Sequence, residues 1–70
     1  MSLTWEDVED LGVELADAYA GVDPLSVRFT DLHRFVIELP DFDDDPKSSD
    51  EAKLEAIQMA WLEEFRDRQA

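Results

Sequence analysis

Four of the five residues from Asp41 to Asp45 are aspartates, in the stretch DFDDDP that Pro46 closes. Carboxylates at this density do one of two things. They ligate hard or borderline divalent cations such as Ca²⁺, Mg²⁺, Mn²⁺ or Fe²⁺, or they meet a cationic protein surface. Asp41, Asp43 and Asp45 alternate as the first three ligands of an EF-hand loop do. That loop also needs glycine at its sixth position and a bidentate glutamate at its twelfth. Pro46 and Ala52 stand there instead, so an EF-hand is excluded. What remains is a weaker oxygen-ligand site formed by Asp41, Asp43, Asp44 and Asp45, or a plain solvated loop with Asp at turn positions and Phe42 docked in the core as its anchor. The residues alone leave both open.

Further acids recur at helical spacing. Glu6, Asp10, Glu14 and Asp17 share one face of a predicted helix, and Glu51 and Glu55 lie four apart on another. Like charges so placed destabilise a helix by roughly 0.2–0.5 kcal/mol per pair, where alternating Glu and Lys would stabilise it. Glu6, Asp7 and Glu51 fall in first turns, where the helix dipole favours them. Asp10, Glu14 and Asp17 have no such compensation, and a basic partner or a cation would supply it. A charge run is otherwise an ordinary solvated face.

Catalytic constellations are missing. His33 is the only histidine, flanked by Asp31 and Arg34, and reads as a surface or capping residue rather than a general base. There is no cysteine, and no serine sits in a nucleophile motif. Gly12 and Gly21, the only glycines, cannot build a phosphate-cradling loop. Paired acids for glycoside chemistry need a cleft that a bundle this small has little room for. Trp5 and Trp61 lie on apolar stripes, so core packing is their default role. No enzyme is expected.

Composition narrows the partners. The chain has 70 residues, 19 acids against 6 bases, and a net charge of −13. Such a surface repels nucleic acid and anionic membranes and attracts basic proteins or metal cations. With 44% apolar residues, two Trp, four Phe and one Tyr, the sequence should nonetheless fold around a core. The segment MSLTWEDVEDLG lacks the basic and apolar regions of a signal peptide, and the lack of cysteine fits a reducing cytosol. A soluble, cytoplasmic protein is expected.

These residues must be positioned by helices. Trp5, Val8, Leu11, Leu15 and Tyr19 recur at helical period behind a Thr4/Asp7 near-capping box, predicting a helix over 5–20 that Gly21 stops. Asp23-Pro24 starts a helical turn over 24–27, followed by buried Val27 and Phe29. Thr30 caps a helix over 31–39, with Leu32, Phe35, Val36 and Leu39 on its apolar face, which Pro40 ends. After the acidic loop, 40–47, Ser48 with Glu51 forms a capping box, with Ser49 or Asp50 as alternatives. The third helix, 50–67, buries Leu54, Ile57, Trp61 and Phe65, and the tail from Arg66 to Ala70 frays. The expectation is one all-α domain, a small three-helix bundle with an extra short turn.

The stretches VRFTDLH (27–33), DFDDDP (41–46) and LEAIQMAWLEE (54–64), with Trp5 near the start and Asp23-Pro24, together resemble the IscX family. These are small acidic proteins encoded with bacterial iron–sulfur cluster assembly machinery. The resemblance covers the chain to about Glu64. Ala20-Gly21 departs from the family's usual Pro-Asp, Phe35 from a common Trp, and Pro40 from a usual acid. The resemblance implies a fold similar to a modified winged helix and a monomeric, non-catalytic adaptor or regulator. It also implies binding to the cysteine desulfurase IscS, and dealings with other cluster-assembly proteins. Weak binding of ferrous iron by exposed carboxylates is implied too, which tips Asp41, Asp43, Asp44 and Asp45 toward a functional reading. The expected docking set is Glu6, Asp10, Glu14, Asp17, Asp31, Asp43, Asp44, Glu51 and Glu55. The alternative is an acidic interaction module that mimics nucleic acid charge on some basic protein, with no specific role for metal.

Overall fold

The structure is a computed structural model, and it describes residues 2–69. Three helices follow one another: α1 (Val8–Ala18), α2 (Phe29–Ile37) and α3 (Glu51–Gln69), with 3-10 turns at Pro24–Ser26 and Pro46–Ser48. The fold is all-α. Among the described residues the one β-type contact is an isolated parallel bridge between Leu3 and Phe42.

The first helix begins at Val8, three residues later than the apolar period predicts. One of the two contacts of the Thr4/Asp7 box is nevertheless made; in the other Glu6 N–H takes the place of Asp7 N–H, which bonds to Thr4 O at 3.0 Å instead. Thr4 N–H donates to Asp7 Oδ2 at 2.9 Å, and Glu6 N–H donates to Thr4 Oγ1 at 3.3 Å. They close a turn rather than open a helix, because Asp7 sits at φ −85°, ψ 56°, outside the helical region. Leu3 and Trp5 are committed elsewhere, to the loop around residues 41–45. Tertiary anchoring overrides the local period here. At the other end, Gly21 takes φ +86°, the left-handed stop that its sequence position suggests.

Asp23 caps the first 3-10 turn as expected, its Oδ1 accepting from Leu25 N–H at 3.0 Å. The second helix is displaced from the predicted 31–39: it begins at Phe29, Arg28 is the N-cap without a side-chain bond, and Thr30 lies inside the first turn. Val27 and Arg28 are extended, so the chain enters the helix as soon as it leaves the turn. The helix ends at Ile37, and Leu39 N–H bonds back to Val36 O in a tight turn ahead of Pro40. For α3 the cap is Asp50, whose Oδ1 accepts from Lys53 N–H at 2.8 Å; Ser48 closes the preceding 3-10 turn instead. The tail does not fray as expected. Helix continues to Gln69, with Arg68 bound to Asp17 and Glu64, while Ala70 lies outside the described residues.

The core is formed by Leu3, Trp5, Leu11, Leu15, Ala16, Leu32, Val36, Leu39, Leu54, Ile57 and Trp61. Leu62 is also buried, and Phe65, expected in the core, is only half-buried. Tyr19 stacks on Phe35 at 4.2 Å between centroids, and both rings lean on Trp61. Helices α1 and α3 form the principal pair. Gly12 allows their close approach: a Cβ there would sit 2.8 Å from Ala60 backbone and side-chain carbons. No polar or charged residue among those described is buried, so the acids are all at or near the surface.

Candidate functional site

The acidic loop is built onto the core from the N-terminal segment. Leu3 N–H donates to Asp41 O at 2.7 Å, and Asp43 N–H donates to Leu3 O at 2.8 Å. Trp5, 1% exposed, is the hub. Its ring packs edge-on against Phe42 at 4.8 Å and stacks on His33 at 5.4 Å. Its indole N–H donates to Asp45 O at 2.7 Å, and its backbone N–H to Asp44 Oδ2 at 3.1 Å. His33 Nε2 closes the arrangement against Pro46 O at 2.6 Å. A histidine that reads as a surface residue is thus half-buried between the second helix and the loop.

This architecture divides the four aspartates. Asp44 spends both oxygens on backbone N–H groups, since Oδ1 also accepts from Asp45 N–H at 2.7 Å. Asp45 Oδ1 caps the second 3-10 turn by accepting from Lys47 N–H at 2.9 Å. Both shape the loop. Asp41 and Asp43 are exposed, and among the described residues only their backbone groups are hydrogen-bonded. The solvated-loop reading of Phe42 as anchor and Asp at turn positions describes the geometry well, and it leaves two carboxylates free.

The helical acids divide the same way. Glu6 pairs with Lys53 at 2.7 Å, Asp17 with Arg68 at 2.8 Å, and Asp31 with Arg34 at 3.6 Å. Asp17 therefore has the compensation that reading its own helix does not provide, supplied from α3. The Lys53 ammonium is held above its ordinary value first by the hydrogen bond to Glu6 and then by the charges of Glu6, Asp50 and Asp44. Arg68 is raised likewise, chiefly by its bond to Asp17. Among the described residues Asp10, Glu14, Glu51 and Glu55 have no ion-pair partner. Glu51 stands in the first turn of α3, and because α1 starts only at Val8, Asp10 stands in the first turn of α1 and has the dipole compensation expected for Glu6, which lies before the helix.

Two of the predicted groups are brought together. Asp10 and Glu14 from α1 and Asp41 from the loop line one small concavity with Leu3 and Val13. Asp43 lies beyond it on the loop, and Glu51 and Glu55 begin α3. No group of three or more His, Asp or Glu among the described residues is close enough to hold a metal ion by itself. The donor set is carboxylate oxygen throughout, suited to a hard or borderline cation that keeps much of its water. Sequence reading missed Leu3 and the bridging role of Trp5. The only available signal was an apolar residue two positions before a tryptophan.

Fold and site define a small all-α protein with an acidic surface and an acidic loop fastened to its core. The profile of the iron–sulphur cluster assembly family matches residues 3–66. An uncharacterised protein of Pseudomonas aeruginosa is 53% identical over 64 residues, spanning 91% of this chain and 97% of its own. The chain belongs to the iron–sulphur cluster assembly family, the IscX family. No helix among the described residues is long and apolar enough to cross a membrane.

Proposed function

We propose that this chain is a non-catalytic, cytoplasmic adaptor of iron–sulfur cluster assembly that docks on the cysteine desulfurase IscS through its unanswered carboxylates. The observation that carries this reading is the concavity where Asp10, Glu14 and Asp41 meet, none of them in an ion pair among the described residues. A basic patch on the partner would relieve their repulsion, giving fast, salt-sensitive association. Asp43 extends the surface along the loop, and Glu51 and Glu55 add exposed acids at the start of α3. Glu6, Asp17 and Asp31 contribute less, because docking must first break or share their pairs. We read the helix order as a modified winged helix, with the Leu3–Phe42 bridge in place of a wing.

Ferrous iron enters this proposal as cargo. Asp41 and Asp43 are the free donors of the loop, with Asp10 and Glu14 nearby, while Asp44 and Asp45 already serve backbone N–H groups. Binding through so few ligands is weak and exchangeable, which suits sensing or delivery rather than storage.

Calorimetric titration into the purified desulfurase, at low and moderate salt and with and without Fe²⁺, tests the proposal. Saturable binding that weakens with salt and is lost on combined Asp10→Lys and Glu14→Lys exchange is the expected result. Absence of heat under every condition would return the protein to the charge-mimic reading, in which another basic protein is the partner and metal has no part.

A further inference from the structure

A second surface lies away from the acidic loop. The core side of α3, with Leu54, Ile57 and Trp61, is covered by α1, by α2 and by the Pro24–Ser26 turn, to which Gln58 donates through Pro24 O at 3.0 Å. Met59 is two residues from both Ile57 and Trp61, so it points roughly opposite, at about 100° per residue. There an open trough of about 520 Å³ runs between α1 and α3. Its floor is apolar: Val8, Ala56, Met59, Ala60 and Leu62. Three large apolar residues of the described chain are well exposed, Val13, Leu25 and Met59. Two of them, Met59 at 51% and Val13 at 39%, lie in this trough and its continuation past Ala60. Two of the three exposed large apolar residues therefore share one surface, and Leu25 lies away from it.

The rim says what covers it. Glu9 stands on one side and Glu63 and Asp67 on the other, none of them in an ion pair among the described residues, with Arg66 the single base. A second copy would bring its own rim of acids and its own net charge of −13 against these. Anionic lipid is repelled in the same way. A small molecule would stay largely uncovered in a trough open along its length, whereas ligand pockets bury most of their ligand. A helix laid between two helices fills such a trough with its side chains, as ridges fill grooves.

We propose that the α1–α3 trough binds a basic amphipathic helix of a partner protein, its apolar face on Val8, Ala56 and Met59 and its Lys or Arg residues against Glu9, Glu63 and Asp67. This stands apart from the loop surface and from the identity of the desulfurase as partner.

The test uses a fluorescein-labelled peptide of Leu and Lys in amphipathic helical order, and a scrambled peptide of the same composition. Anisotropy gives affinity, and methyl NMR of Met59 and the alanines gives location. The ordered peptide is expected to bind more tightly than the scrambled one and to shift Met59 and Ala60. Met59→Glu, an exposed position whose fold is checked by circular dichroism, weakens binding roughly tenfold, about 1.4 kcal/mol. Asp43→Lys, on the loop surface, changes binding of both peptides alike. Equal binding of the two peptides, shifts confined to the acidic loop, or a Met59→Glu protein that binds unchanged would each overturn the proposal, and each is independent of the desulfurase titration.

Discussion

The indole N–H of Trp5 reaches the backbone carbonyl of Asp45 at 2.7 Å, across forty positions of sequence. This bond ties the most acidic segment of the chain to one of its two buried tryptophans. The loop is therefore a structured surface, and its aspartates differ in what their removal costs.

Trp5 and Trp61 are equally buried, but Trp61 Nε1 has no hydrogen-bond partner among the described residues. Replacing each by Phe removes similar apolar area. Trp5→Phe additionally removes the indole bond to Asp45 O, which keeps Ser48 N–H as a donor at 3.0 Å, so the added loss is that of one hydrogen bond, about 0.5–1.5 kcal/mol. Denaturant unfolding should show Trp5→Phe as the more destabilised variant, with faster amide exchange in the loop. A larger loss for Trp61→Phe would contradict the assignment.

Asp44→Asn and Asp43→Asn remove the same charge one residue apart. The first keeps one acceptor oxygen and turns an NH2 group toward the other backbone N–H, so one bond is weakened and one lost, with an expected loss of about 1.5–3 kcal/mol, the range for hydrogen bonds to charged groups. The second removes an exposed, unpaired charge and should change stability by less than about 0.5 kcal/mol. Thermal melts of the two variants decide this, and for desulfurase titrations Asp43 is the cleaner position to alter.

Gly12→Ala gains helix propensity, by about 0.8–1 kcal/mol in an unhindered helix. Its Cβ would meet Ala60 carbons at 2.8 Å, so the α1–α3 pair must separate. Overpacking of this kind costs about 1–3 kcal/mol. Net destabilisation in urea is expected, and a stabilised variant would show the helix pair to be more yielding than its geometry.

The raised Lys53 sets an alkaline limb on stability. Its folded-state value lies above the ordinary 10.5, so the contribution of the Glu6 contact is fully present below that pH and is lost as pH rises through the raised value. Lys53→Met should lower the neutral plateau slightly and remove the alkaline limb, so that the two curves meet above the raised value. The pair is exposed, so its effect is small at neutral pH and declines with salt.

Much of the fold is legible along the chain because it depends on local chemistry. Asp23-Pro24 and Gly21 act where their residue types require, and the apolar period finds all three helices. The errors share one cause, which is distance in sequence. Trp5 fits the stripe of α1 but is taken by the loop, and Thr30 can cap a helix that has already begun at Phe29. The partners of Asp17 and Glu6 are Arg68 and Lys53 on α3, which no helical spacing reveals. The same holds for the site. DFDDDP marks the acidic loop, but which aspartates are free depends on Leu3 and Trp5, nearly forty residues upstream. Membership of the iron–sulphur cluster assembly family, suggested by whole stretches rather than spacing, is shown by the family match.

The absence of buried charge among the described residues has an evolutionary consequence. Exchanges such as Asp to Asn or Glu to Lys at Asp10, Glu14, Asp41 or Glu63 alter the surface without disturbing the core. Lineages can therefore retune which basic surface this protein favours by single steps, each of them folded. Trp5, Gly12 and Asp44 have no such freedom, and variation there should be scarce even where the partners diverge.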